Sequence, residues 1–423
     1  MLRQTRGILR AGLVGVVLAC VGCGDREERS NEGVVRPETP AAAEPAAAPA
    51  GDFAVPDETA RGLEALGYFP RAPTDNPEDR GVTANDAEAA RGVNVYGSRH
   101  RARARLTDRE GTVLHTWEAN DEDAKHGPWM HVEPLPGGDL LVLTKDHDVA
   151  KIDWASSVVW RRELRVHHDV AIHPDGRLFV LVHDRREHTW RGREIPVLAD
   201  AVAVLSPDGE LLRTIELLPL LASSLSPRRL DGIVAALDTM PLARILREGG
   251  VADVLHTNSI AFLERDIPNV ALRGSVLLSF RAINRVMILS PEMTEVLWTW
   301  GAGELQQQHD ATQLANGNVL IFDNGVGREK SRVIEVSPAN GEIVWSYDPG
   351  DLFSRLRGGA QELPNGNILT TESDRGHALE VTRDGEKVWE FWNPDVRGTP
   401  PERAVIYRLN RFPRSFFGDR LEP

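Results

Sequence analysis

Three histidines and one arginine recur at matching places along the chain. The glycine of each hairpin turn serves as the reference. Eight residues before Gly138, Gly176, Gly317 and Gly366 stand Met130, His168, His309 and Gly358. In one further repeat the matching strand, HTNSIAFL, begins with His256. Seven residues after Gly138, Gly176, Gly274, Gly317 and Gly366 stand Lys145, His183, Arg281, Asn324 and Ser373. The strands around them are otherwise rich in Leu, Ile and Val. A single histidine at a strand start is usually a hydrogen-bonded structural group. Three in register, with an arginine, favour a ligand site. Arginine offers a permanently charged fork suited to a tetrahedral oxyanion. Histidine supplies a nucleophile, a general acid or a donor near neutral pH. No carboxylate pair stands in the set, which weakens a glycosidase reading. Asp169 and Asp310 follow His168 and His309 directly. Strand alternation turns them away from the histidines, toward a structural pairing with the neighbouring unit.

The elements that must position these residues are hairpins of two kinds. The first kind runs from a polar start through a turn to an apolar strand: HVEPLPGGDLLVL, HDVAIHPDGRLFVL, HDATQLANGNVLIFD and GGAQELPNGNILTTE. The second ends in a strand bearing Trp: VAKIDWASSVVW, VMILSPEMTEVLW, VIEVSPANGEIVW and ALEVTRDGEKVW. Asn-Gly and Asp-Gly between alternating strands are strong hairpin signals. The aligned positions His115, Trp160, Arg213, Trp298, Trp345 and Trp389 are separated by 45, 53, 85, 47 and 44 residues. A four-stranded unit repeating every ~40–50 residues predicts an all-β β-propeller. Five blades are complete. GVNVYGS, ARARLTD and GTVLHTW form a partial one, and AVIYRLN (404–410) is an orphan strand. Pairing that strand with the partial blade predicts closure at six blades, with both edges removed. The long interval carries a short helical insertion at about 217–250. The propeller domain is placed at 92–412, with a tail at 413–423.

The N-terminus reads as an address. Arg3, Arg6 and Arg10 precede a short apolar run that ends in V-L-A-C. The run is too short to span a bilayer core of about 20 apolar residues. Residues 1–19 therefore read as a lipoprotein signal peptide, with Cys20 as the lipidated residue and Cys23 as the alternative. An ordinary signal peptide or an uncleaved anchor helix are the other readings. Residues 20–60 are a Pro/Ala-rich linker that cannot bury enough apolar area to fold. Residues 61–91 read as a short helical or irregular segment. These features predict an exported bacterial lipoprotein, held by its anchor at the periplasmic face or cell envelope.

Composition agrees. The 423 residues carry 49 Lys+Arg against 63 Asp+Glu, a net charge of −14. Such a surface excludes a nucleic-acid binder, which needs basic residues to displace counterions. Both cysteines lie at the lipidation signal, so none remains for a disulfide framework. No phosphate-cradling G-x-x-x-x-G-K-[ST] loop is present. Neither a cofactor nor a metal is expected. The oligomeric state is left open, a homodimer included.

The segments HHDVAIHPDG, HTNSIAFL, LLSFRAIN and QQHDATQLANGNVLIFDNG, in that order, resemble the bacterial arylsulfotransferase family. GGAQELPNGNILTTESDRGHALEVTRDGEKVWEFWNP extends the likeness, which covers roughly 92–412. The resemblance implies an exported six-bladed propeller. It implies transfer of a sulfuryl group from an aryl sulfate ester to a phenol, without a nucleotide donor. It implies a sulfohistidine intermediate and a catalytic set of His309, His256, Arg281 and His168, with His309 as nucleophile. Arg281 and His256 would hold the sulfonate oxygens, and His168 or His256 would move the phenol proton. Lys145, His183 and Asn324 fall at the pocket's periphery as substrate-binding candidates. The chain departs from the best-known members in its shorter length, its lipobox and its lack of a cysteine pair in the mature body. Substrate identity transfers less well than fold.

Three other readings stand beside this one. The first is a non-catalytic propeller lipoprotein that binds a small anion, a glycan or a protein partner. The second is a quinoprotein-like propeller, suggested by Trp-bearing turns, in which the histidines have no role. The third is a metal site on His167, His168, His173 and His183, whose spacing matches no recognised zinc pattern well.

Overall fold

The computed structural model describes residues 71–421, except that within 222–251 only Pro227, Asp231 and Ala235 are described. The segments read as signal peptide and linker, with Cys20 and Cys23, and most of the insertion lie outside the described residues.

The chain is all-β. Its described residues form six sheets of four or five strands, antiparallel but for one added parallel strand, and a three-stranded sheet of Arg71–Pro73, Glu402–Ala404 and Val396–Arg397. In the first, Ile406–Phe412 pairs with Val93–Ser98, followed by Arg103–Asp108 and Val113–Glu118. The second is Trp129–Pro134, Leu140–Thr144, Asp148–Ile152 and Val158–Glu163. The third is Val166–Ile172, Leu178–Trp190, Arg193–Leu205 and Leu211–Glu216, with Ala252–Asp253 added parallel to Arg193–Leu205. The fourth is Thr257–Phe262, Val276–Phe280, Arg285–Leu289 and Val296–Trp300. The fifth is His309–Gln313, Val319–Asp323, Arg332–Val336 and Ile343–Tyr347. The sixth is Gly359–Glu362, Ile368–Glu372, His377–Val381 and Lys387–Trp392, with Gly81–Asn85 on its edge. The orphan strand thus meets the first sheet, with Ile406 opposite Ser98 and Phe412 opposite Val93.

Two of these strands differ from the sequence reading. The segment 61–91 was expected to be helical or irregular. Its described part instead contributes Arg71–Pro73, paired with Glu402–Ala404, and Gly81–Asn85, paired with Lys387–Trp392. Edge strands of this kind form because a distant partner offers free backbone groups, which local pattern does not reveal. The tail is a short 3-10 segment, Arg414–Leu421, whose Phe417 is fully buried among Val93, Trp117 and Val142.

Each sheet buries both faces against its neighbours. Leu, Ile and Val of the second and third strands form the clusters between sheets, as in Leu277, Ile288, Val319 and Ile334. Side chains then stitch one sheet to the next. At the inner end, Asp169 accepts from the Ile260 amide at 3.0 Å, Ser259 from Ala311 at 3.1 Å and Asp310 from Ala360 at 2.9 Å. At the outer end, indole N–H groups donate to turn carbonyls of the following sheet. Trp160 reaches Pro207, Trp345 reaches Arg383 and Trp389 reaches Arg109. In the fourth sheet the donor is Trp300, to Gly341, rather than the aligned Trp298. The turn under Trp160 requires glycine. Gly209 has φ +79°, and a Cβ there would sit 2.6 Å from the indole Cδ2. Among the described residues, no helix is long and apolar enough to cross a membrane.

Candidate active site

The inner strands of the third, fourth and fifth sheets each start with a break in register. The breaks fall between Val166 and Val170, Thr257 and Ser259, and His309 and Ala311. His168 and Asp310 lie within the first and third breaks and His256 just before the second, and all three take the left-handed region, with φ of 55°, 48° and 51°. Such residues cost roughly 1–3 kcal/mol each and persist where the surroundings hold them. A bulge also re-aims its side chains. Here it turns the three histidines toward one another. The rings of His168 and His256 lie 4.8 Å apart, and those of His168 and His309 6.4 Å apart. Arg281 joins them from the end of Val276–Phe280, its amide donating to the His256 carbonyl at 3.0 Å.

Each ring residue has its own holder. Asn324 donates its Nδ2 to the carbonyls of Ser354 and Arg357, both at 2.7 Å. Its Oδ1 is therefore the acceptor facing His309 Nδ1 at 2.7 Å. His309 must carry its proton on Nδ1. Its Nε2 is left with a lone pair, buried and without a hydrogen-bond partner. Burial first, then the Arg281 cation, push the His309 pKa well below the ordinary imidazole range. His309 is neutral at neutral pH, with a nucleophilic nitrogen presented to the ring.

His256 is held differently. Its Nδ1 contacts a carboxylate oxygen of Asp253. Burial opposes ionisation of Asp253, but His256 and Arg281 outweigh it and hold its pKa below the usual carboxylate range. Among the three, His256 is the one whose ring nitrogen meets a carboxylate. His168 Nδ1 meets His167 Nδ1 at 2.9 Å. Burial, then His256 and His167, keep His168 neutral. Arg281 donates to Gln307 Oε1 at 2.5 Å, while its Nε is buried without a hydrogen-bond partner. The arrangement combines a neutral imidazole with a free lone pair, a carboxylate-backed imidazole and an anchored guanidinium.

The peripheral candidates divide. Asn324 faces His309 and orients it, rather than a ligand. His183 lies one strand outward, on Leu178–Trp190, so its ring stacks on His167 at 4.6 Å instead of joining the set. Its Nε2 is 2.7 Å from Asp146 Oδ1. Lys145 lies beside Asp146, with Nζ 3.9 Å from its Oδ2.

Asp169 and Asp310 need a correction. They do pair with the neighbouring sheet, as expected, but they also converge on one cation. Arg408 Nη1 is 2.9 Å from Asp169 and Nη2 is 3.2 Å from Asp310. The bulges undo simple alternation, so consecutive residues both reach inward. Burial disfavours the charge on Arg408, yet the two carboxylates outweigh it and raise its pKa. This buried layer borders a cavity of about 1080 Å³ lined by Asp169, Asp310, Arg408, His173 and Gln313, among others. None of His168, His256, Arg281 or His309 lines that cavity. The sequence reading missed Asp253, Gln307 and Arg408. Asp253 carries a faint signal, three residues before His256. Arg408 carries none, standing 239 residues from Asp169.

The family model described as Arylsulfotransferase (ASST) matches residues 131–394. No curated protein matches the chain. Among solved structures, the chain is similar to a protein of unknown function from Bacteroides caccae, with 11% identity, 76% of this chain and 99% of that chain covered, and a TM-score of 0.51. It is also similar to a streptogramin B lyase, with 12% identity, coverage of 81% and 97%, and a TM-score of 0.45. A third likeness is to the Dos1 propeller, with 9% identity, 75% of each chain covered and a TM-score of 0.39. The first of these speaks to the fold alone.

Proposed function

Since the chain belongs to the arylsulfotransferase family, with the match spanning residues 131–394, we propose that it moves a sulfuryl group from an aryl sulfate to a phenol through sulfated His309. Its six sheets then act as the six blades of a closed propeller around the histidine ring. No nucleotide donor takes part. The observation that carries the reading is His309 Nε2, which is deprotonated, buried and unpartnered beside Arg281.

In the first half-reaction Nε2 attacks sulfur, an S–N bond forms and the S–O bond to the aryl group breaks. The departing phenoxide takes a proton from His256. Charge spreads over three equatorial oxygens, as in phosphoryl transfer, so fixed donors do most of the work. Arg281 supplies them. In the second half, His256 takes the proton of the acceptor phenol, its oxygen attacks sulfur and the S–N bond breaks. The proton and the sulfuryl group are both returned, and no net charge accumulates.

Asn324 gives the reading a pH test. Asn324→Asp places a carboxylate on His309 Nδ1 and stabilises the imidazolium, so the His309 pKa rises by about 1–3 units. The nucleophile is then protonated at higher pH. The acid limb of kcat/KM should move up by that amount, with the alkaline side unaffected. Asn324→Leu frees the tautomer and should lower kcat about 10-fold with the donor KM nearly unchanged. An unmoved acid limb in Asn324→Asp would take His309 out of the nucleophile's role.

The deciding assay combines purified protein, a chromogenic aryl sulfate and a phenol. Acceptor-dependent release of the donor phenol supports the transferase. Absence of release across a broad donor panel would favour a propeller that only binds. The lipoprotein reading, supported by the V-L-A-C segment, is tested separately. Cys20→Ser should move the protein from the membrane fraction to the soluble one, and retention would shift the anchor to Cys23.

A further inference from the structure

Behind the ring lies a second cluster to which the transfer reaction assigns no role. One donor atom each from His167, His183 and Asp200 lies within 4.8 Å of the others. The three residues are 2%, 8% and 1% exposed. His167 Nε2 and His183 Nε2 are both buried. Each has a carboxylate beside it. Asp200 Oδ1 is 3.7 Å from His167 Nε2, and Asp146 Oδ1 is 2.7 Å from His183 Nε2. The other oxygen of Asp200 is fixed by the Thr257 amide at 2.6 Å and hydroxyl at 2.7 Å. Carboxylates so fixed are typical of ligands oriented by an outer layer of hydrogen bonds.

We propose that His167, His183, Asp200 and Asp146 bind one divalent cation of the zinc class. Two imidazoles and two carboxylates make a four-ligand set whose charge balances a divalent ion. The buried nitrogens point the same way. A neutral imidazole has one N–H and one lone pair. With His167 Nδ1 committed to His168, its Nε2 stands 3.7 Å from Asp200 Oδ1, and His183 Nε2 stands 2.7 Å from Asp146 Oδ1. A cation would take these nitrogens and carboxylate oxygens into one coordination sphere.

The second group with metal-ligand composition, His126, His147 and Asp148, fails the same reasoning. Arg161 already sits in it, with Nη1 2.9 Å from His126 Nε2 and Nε 3.2 Å from Asp148 Oδ2. A guanidinium there repels a further cation.

Binding carries a structural demand. The rings of His167 and His183 are stacked, 17° from parallel. Two parallel rings cannot both aim in-plane lone pairs at one ion. The His183 ring must turn about its Cβ–Cγ bond and exchange its contact with Asp146 for shared coordination. Binding also fixes protons. With Nε2 on the metal, His167 carries hydrogen on Nδ1 and donates it to His168 Nδ1. His168 then keeps its own hydrogen on Nε2, as a donor toward the ring. That last consequence rests on the transferase reading, whereas the metal site does not.

The test uses the untagged full-length chain, incubated with Zn²⁺, dialysed and measured for metal, with Co²⁺ as an optical probe. About one ion per chain should be retained. Co²⁺ should show the intense visible bands of a four-coordinate site. Asp200→Asn and His183→Ala should lose the ion, and His126→Ala should keep it. Retention no higher than buffer background in the parent protein overturns the proposal. So does equal retention in Asp200→Asn and His183→Ala. Should those two variants not fold, the Co²⁺ spectrum of the parent decides alone, and absent four-coordinate bands overturn it. These readouts do not involve turnover, so the metal site can fail while sulfuryl transfer stands, or the reverse.

Discussion

His309→Ala is expected to lower acceptor-dependent release of the donor phenol by roughly 10⁴-fold or more, the scale seen when an enzyme loses its nucleophile. Arg281, His256 and His168 remain in this variant, so donor binding should survive and KM should change little. The loss should fall on kcat. A second readout separates chemistry from damage. Parent protein mixed with donor alone should release one burst of phenol and gain the mass of one sulfuryl group. His309→Ala should show neither, at an unchanged melting temperature. The physical reason lies in the hydrogen-bond directions around Asn324. Its amide nitrogen is occupied by two carbonyls, so its oxygen fixes the hydrogen on His309 Nδ1 and leaves Nε2 free. Release equal to the parent's in His309→Ala would remove that assignment.

Arg408→Met is expected to destabilise the fold by about 3–5 kcal/mol at neutral pH, the usual cost of removing one partner from a buried ion pair. The guanidinium is 9% exposed and touches two carboxylates that are 5% and 8% exposed. Without it, Asp169 and Asp310 become buried, uncompensated charges. Burial already raises the Asp310 pKa with Arg408 in place, and loss of the cation should raise it further. A group raised in the folded state stabilises it at low pH and loses that contribution as pH rises through the folded pKa. The deficit should therefore be largest near neutrality and shrink toward pH 4. Denaturant titrations of both proteins across that range measure it. Replacing the whole set, with Asp169→Asn and Asp310→Asn added, should recover much of the loss. A deficit that is constant with pH would mean that packing, and not charge, is what Arg408 supplies.

The hairpins and the histidines were legible for one reason. Asn-Gly and Asp-Gly turns set a register, and a register makes His168, His309 and Arg281 comparable across repeats. The same device singles out His183 and Asn324, whose surroundings it does not show. Both stand seven residues past a turn glycine, yet one stacks behind His167 and the other holds His309. What differs is the neighbouring chain, which spacing does not encode. Asp169 and Asp310 were read through simple alternation, and the left-handed bulges at His168 and Asp310 break it. Arg408 was beyond reach because its partners are brought to it by the pairing of Ile406–Phe412 with Val93–Ser98. Arg71–Pro73 and Gly81–Asn85 were missed likewise, since only distant strands make them strands.

The pairing of Ile406–Phe412 with Val93–Ser98 also sets an order of assembly. The sheet that starts nearest the N-terminus is the one completed last during synthesis. Until that strand arrives, Asp169 and Asp310 lack their cation and the first sheet lacks its inner edge. A nascent chain halted between Asp310 and Arg408 would hold all three ring histidines and Arg281, together with two unneutralised carboxylates. Such a fragment should be cut by proteases faster than the chain that includes Arg408. Synthesis past Arg408 is thus what neutralises the two carboxylates next to the ring histidines in sequence.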